Sequence, residues 1–246
     1  MRKLIRAPCR KALGFRAVFV NFLHGQNGFL IAALFASGLT LLGERPVFAG
    51  LLFGLLCYKP RFDVVVPLVM AATPRWRTLT AMMVTVLMLA FVARLFFGPE
   101  IWPVFIASAR FTRLVVLEQG NTGFYKMQSL FAWIRMWGGG ASLAYGAQAG
   151  AALLVLCGLV RIWRAGIATA NKAAALCVST LLETPYSLDY DLMLLAPAIA
   201  LIGAQGVAQG FDFYEQLCLA MLCFVPAIAR TTLSLHRKLR AMAPQA

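Results

Sequence analysis

The sequence predicts an all-α fold, a multi-pass transmembrane bundle of about nine apolar helical segments. Three observations carry this. First, 61% of the 246 residues are hydrophobic and only 13% are charged, whereas soluble domains are about half apolar. Too few polar groups remain to cover a water-facing surface, so lipid must solvate much of the chain. Second, the apolar stretches are continuous rather than alternating. Backbone groups in hydrocarbon must find partners within their own segment, which helices provide, and a barrel would alternate. Third, the net charge of +14 is concentrated in short breaks beside apolar runs, at Arg75/Arg77, Arg161/Arg164 and Arg237/Lys238/Arg240. That placement marks cytoplasmic loops and argues against nucleic-acid binding.

The elements follow as a single membrane domain over residues 1–246. A basic start, with Arg2, Lys3, Arg6, Arg10 and Lys11, leads into a short apolar stretch at 12–23 interrupted by Arg16. It resembles a signal peptide, but His24-Gly25-Gln26-Asn27 follows instead of a small-residue cleavage pattern, so a short first helix is expected. Residues 28–43 form the next run. Residues 47–58 and 62–73 flank Lys59-Pro60-Arg61. At about 18 Å each, these arms are short for a core of about 30 Å, so they are either short spans or a re-entrant hairpin. The clearest span is 79–97, where Arg94 can snorkel to the headgroups. A long interruption, 98–140, contains two aromatic apolar portions, 101–105 and 130–137, that suit helices lying at the interface. Further apolar runs cover 141–163, 168–182, 192–202 and 213–228.

With the basic breaks at 75–77 and 161–164 placed in the cytoplasm, His24 to Asn27, Lys59 to Arg61, the 98–140 interruption and residues 183–191 all face the other side. The polar motifs therefore converge on one membrane face. The same alternation puts His236-Arg237-Lys238-Leu239-Arg240 outside, against the positive-inside tendency.

Each motif has a functional and a plain reading. Gln26 and Asn27 offer donors and acceptors for sugar hydroxyls, and Asn27 equally suits a helix cap. Lys59 and Arg61 flank Pro60, which forces Lys59 out of helical geometry. They suit a lipid-linked phosphate or simple headgroup contact, and Asp63 could neutralise one of them. The most polar run of the chain, Val116-Leu117-Glu118-Gln119-Gly120-Asn121-Thr122-Gly123-Phe124-Tyr125-Lys126-Met127-Gln128-Ser129, sets Glu118, Gln119, Lys126 and Gln128 beside two glycines. Asp189 and Asp191, with Glu183 nearby, form the densest acidic cluster among nine acidic residues. Carboxylates at a membrane edge are costly unless they work or pair. They could act as a base, bind a divalent ion or favour the start of the following helix. None of the six cysteines forms a Cys-x-x-Cys pair, and only two histidines are present, so no zinc or redox site and no cofactor is expected. No Gly-x-Gly-x-x-Gly after a strand is visible.

Taken together, Gly25-Gln26-Asn27-Gly28-Phe29-Leu30, Gly54-Leu55-Leu56-Cys57-Tyr58-Lys59-Pro60, Leu117-Glu118-Gln119-Gly120, Lys126-Met127-Gln128-Ser129 and Thr184-Pro185-Tyr186 with Asp189-Tyr190-Asp191 resemble glycosyltransferase family 87. The resemblance implies a bacterial GT-C-type bundle in the cytoplasmic membrane that uses a polyprenyl-phosphate sugar, mannose above all. The acceptor would be a glycan or glycolipid hydroxyl at the outer face, and the reaction an inverting hexosyl transfer. It assigns Lys59, Arg61 and Lys126 to phosphate, and Gln26, Asn27, Glu118, Gln119 and Gln128 to sugar or acceptor. Asp189 and Asp191 are held as acid–base or ion-binding candidates. Members carry an acidic residue, taken as the base, on an earlier outer loop, whereas Met1 to Leu23 contains no Asp or Glu. Arg61, Phe62 and Asp63 also depart from the usual continuation of the Lys-Pro motif. The expectation is a partial core that binds donor without transferring sugar. Two alternatives stand beside it, a transporter or flippase of lipid-linked sugars and a non-catalytic membrane fragment that binds a partner.

Overall fold

A computed structural model describes residues 16–62 and 64–222; the side chains of Arg16 and Arg61 are outside that description. The described residues are helical, without a strand. In chain order the helices are α1 Arg16–Leu23, α2 Gly28–Leu41, α3 Pro46–Gly54, α4 Val65–Ala72, α5 Trp76–Phe97, α6 Ile101–Phe111, α7 Leu130–Met136, α8 Ala141–Arg164, α9 Thr169–Glu183, α10 Leu195–Gln209 and α11 Phe213–Leu222.

Among the described residues, three stretches are long and apolar enough to cross a membrane: Trp76–Phe97, Ala141–Arg164 and Asp189–Gln209. The other apolar helices are shorter, so a count of nine crossings does not follow from length. In α5 only 11% of the most apolar window is buried, against 50% in 189–209. The outer faces of α5 carry Leu87, Met88, Phe91, Leu95 and Phe96, all exposed. An apolar helix bare on most sides is a helix solvated by lipid.

The main core joins α2, α3, α4, α9 and α10 through Phe35, Phe53, Val66, Met70, Leu176 and Ala198. Helix α3 lies directly on α5, and glycines allow it. A Cβ on Gly50 would come within 2.4 Å of the Thr78 carbonyl oxygen, and one on Gly54 within 2.5 Å of Thr85 Cβ. The chain between α3 and α4 does not stay α-helical. It tightens into 3₁₀ turns at Leu55–Tyr58 and Pro60–Phe62, with Lys59 between them in a non-helical conformation (φ −122°, ψ 77°). This is the break that Pro60 imposes on its predecessor.

The interruption at 98–140 is itself structured. Its first part is α6, longer than the aromatic patch at 101–105 suggested, and it continues as a π-helical turn over Thr112–Glu118. No residue of α6 is buried. After a 3₁₀ turn at Phe124–Lys126, Ser129 caps α7 by accepting a hydrogen bond from the Ala132 N–H at 3.1 Å. A second, smaller core under this region contains Leu117, Met127, Phe131, Ala144 and Leu188.

The breaks predicted to be cytoplasmic meet at one end of the bundle. The Arg75 guanidinium lies 5.6 Å from the Trp163 ring centroid, the Trp163 indole N–H donates to the Lys172 carbonyl at 3.0 Å, and Arg164 Nε donates to the Ala72 carbonyl at 3.0 Å. Asp63, the basic start at 1–15 and the basic tail at 236–240 lie outside the described residues.

Candidate functional site

At the other end of the bundle, the predicted outer motifs converge on one short turn, Asp189-Tyr190-Asp191, which opens a 3₁₀ segment over Asp189–Leu194. Each of its three residues meets a different part of the chain.

Asp191 is buried, with its side chain fully enclosed. One carboxylate oxygen accepts the Leu188 N–H at 3.0 Å and so fixes the turn. The other stands 3.5 Å from Lys59 Nζ, whose side chain is 16% exposed. Lys59 therefore points its charge at a buried carboxylate 132 residues away, while its ammonium also lies over the Tyr190 ring, 5.2 Å from the centroid. Ammonium over an aromatic face adds attraction. Asp63, which the sequence offers as a neutralising partner for Lys59 or Arg61, lies outside the described residues; within them, Asp191 is a partner of Lys59.

Tyr190 faces the α1–α2 turn. The His24 ring lies 6.3 Å from the Tyr190 ring, and a Cβ on Gly28 would come within 3.0 Å of the Tyr190 carbonyl oxygen. The turn is tied from inside by Asn21, which is fully buried in α1. With its amide oxygen turned toward the donors, Asn21 accepts from the N–H groups of Gly28 and Phe29 at 3.1 and 3.3 Å, and its NH₂ donates to the Gln26 carbonyl at 2.5 Å. Gln26 and Asn27 remain exposed beside it.

Asp189 is half-buried and accepts a hydrogen bond from Gln128 Nε2 at 2.7 Å. This contact ends a short antiparallel ribbon. Met127 bridges Leu188, the Gln128 N–H donates to the Ser187 carbonyl at 2.7 Å, and Ser129 Oγ donates to the Pro185 carbonyl at 2.7 Å. Glu183 lies just before it, and burial pushes its carboxyl up to about 7.

The remaining predicted residues form a second group on the 112–126 segment. Glu118 pairs with Arg113 at 3.3 Å, and its carbonyl accepts from Arg135 at 2.8 Å. Gln119 and Lys126 are exposed, with Lys126 Nζ 5.7 Å from the Tyr125 ring centroid. Gly120 and Gly123 hold this loop in left-handed turns (φ +70° and +84°), which glycine adopts without steric cost.

Sequence reasoning missed Asn21, Tyr190 as the hub, and Gln148. Gln148 is a 3%-exposed glutamine within the span α8, bound to both arms of the ribbon. The signal for Asn21 and Gln148 was present, since an amide side chain inside an apolar run must have partners.

Fold and site define a helical membrane protein with a cation, carboxylates and amides gathered at one end of its bundle. The chain belongs to glycosyltransferase family 87, whose sequence model matches residues 3–185. It is therefore a membrane glycosyltransferase by family. No curated protein and no solved structure matches it.

Proposed function

We propose that this protein is a hexosyltransferase that takes mannose from a polyprenyl-phosphate carrier at the outer face of a bacterial cytoplasmic membrane. The acceptor is a hydroxyl of a glycan or glycolipid. The observation that carries this is the Lys59 ammonium, held 3.5 Å from Asp191 at the edge of the bundle where Gln26, Asn27, Gln128 and Asp189 also gather. A transferase acting on a lipid-linked sugar needs a cation at the membrane edge for the phosphate and neutral hydrogen-bonding groups beside it for the sugar.

In the reaction, the acceptor oxygen bonds to the anomeric carbon as the bond from that carbon to the phosphate oxygen breaks. One displacement inverts the anomeric centre. The electron pair leaves on the polyprenyl phosphate, where Lys59 stabilises the growing charge. Arg61 is the second cation by position in the chain. Gln26 and Asn27 face sugar hydroxyls, Glu118 and Gln119 face the acceptor, and Lys126 on the same segment is a further phosphate candidate. Asp191 aims Lys59, and Asp189 orients Gln128, so both carboxylates are already engaged as braces. The acceptor proton goes to a carboxylate base.

The test is transfer and capture of polyprenyl-phosphate mannose by membranes containing the protein. Asp189→Asn keeps a partner for Gln128 and is expected to change either rate less than about tenfold, whereas loss of a general base costs about a hundred- to ten-thousand-fold. A loss of transfer in the latter range, with capture intact, would make Asp189 the base and overturn the assignment.

A further inference from the structure

The Gln128–Asp189 contact is the tip of a ribbon, and the base of that ribbon is fastened from within a spanning helix. Met127 pairs with Leu188, Gln128 with Ser187 and Ser129 with Pro185. At the next step the two arms stop meeting each other directly and instead meet Gln148. Its Oε1 accepts the Phe131 N–H at 3.1 Å, and its Nε2 donates to the carbonyls of Leu182 and Glu183 at 2.9 and 3.0 Å. Helix α7 begins on one arm and α9 ends on the other, so Gln148 satisfies backbone groups at both helix termini, which lack partners within their own helices.

We propose that Gln148 is a positioning residue that sets the register of this ribbon and thereby the placement of Gln128 and Asp189. The inference rests on the reading of those two residues as part of the donor site. The physical case is one of geometry. A buried polar side chain in an apolar span is costly unless its capacity is used. A glutamine amide has an acceptor and a donor end in fixed relation. Only that combination takes an N–H from one arm while giving protons to two carbonyls of the other. Sliding either arm by one residue would move it away from the fixed amide and break at least one of these three hydrogen bonds.

The test reads register and function separately. Met127→Cys and Leu188→Cys are introduced together, with the native cysteines replaced. Bridged residues of an antiparallel pair lie about 4.5–5.5 Å apart at Cα, within disulfide range. Oxidative cross-linking is then followed with Gln148, Gln148→Met and Gln148→Glu. Methionine keeps the length without either hydrogen-bonding end; glutamate keeps the acceptor and loses the donor. Both variants are expected to cross-link at least about tenfold more slowly, since disulfide formation depends steeply on Cβ separation and direction. Both are also expected to bind polyprenyl-phosphate mannose about ten- to a hundredfold more weakly, as when a buried hydrogen-bonded group is misplaced. A side chain that only stabilised the fold would lower the unfolding midpoint but leave cross-linking of the folded protein unchanged. Unchanged cross-linking in both folded variants would overturn the role of Gln148 while leaving the donor site standing. Slower cross-linking with undiminished donor binding would uphold the role of Gln148 in the register and overturn the assignment of Gln128 and Asp189 to the donor. Should Gln148→Met fail to fold, the smaller change to glutamate gives the same two readings.

Discussion

Replacing Lys59 by methionine keeps most of its stem and removes its charge. Asp191 then loses a cation 3.5 Å away while remaining fully enclosed. At an effective dielectric of about 20, the gross attraction over that distance is about 5 kcal/mol. Desolvation of both groups reduces the net value of the pair, but removing one partner of a buried pair leaves the other's desolvation unmet and costs about 3–5 kcal/mol. Lys59 retains 16% exposure, so the lower end, about 3 kcal/mol, is the expected loss of stability. Asp191→Asn is milder, because its amide oxygen can still accept the Leu188 N–H and Lys59 can turn outward to water. The double variant Lys59→Met/Asp191→Asn should recover much of the loss, giving a coupling of about 2 kcal/mol. Unfolding of the four proteins in mixed micelles, followed by tryptophan fluorescence, measures the cycle. Coupling within about 0.5 kcal/mol of zero, the error expected for independent sites, would show that Asp191 does not hold Lys59.

Two further outcomes follow from the same structure. In a cysteine-free background, Asn121→Cys and Arg77→Cys, both exposed positions, should be labelled from opposite sides of the membrane; labelling of both from one side would reverse the arrangement of the breaks. Glu183 has a folded pKa of about 7 against an ordinary value of 4.5, so the folded state binds more protons between those limits. Stability should therefore fall as pH rises from about 4.5 to about 7 and level off above, and Glu183→Gln should flatten that slope. A slope of the opposite sign, or one unchanged by the substitution, would remove Glu183 as its source.

The helical membrane character was legible because lipid solvation constrains composition directly, and the breaks at Lys59-Pro60 and Gly25 to Asn27 announced themselves through proline, glycine and charge. What joins the breaks was not legible. Lys59 and Asp191 are 132 residues apart, and no local pattern links the two. The pairing depends on how α2, α3 and α10 pack, which is decided by shape rather than by periodicity. The π-helical turn at Thr112–Glu118 was equally hidden, since only its last residues, from Val116, fall in the polar run and no sequence pattern marks a π-turn. Gln148 shows the opposite case. A lone amide between Ala147 and Ala149 was visible in the sequence, but its partners are backbone groups, which every residue carries and no sequence pattern singles out.

The most direct measurement is capture of radiolabelled polyprenyl-phosphate mannose by the purified protein in lipid nanodiscs, with and without Lys59→Met. Saturable capture is expected, displaced by unlabelled polyprenyl phosphate and not by a nucleotide-linked mannose. Lys59→Met should weaken capture about tenfold or more, the scale of a charge-assisted contact to phosphate. Equal capture by the folded Lys59→Met variant, or displacement by the nucleotide sugar, would contradict a donor site built around Lys59.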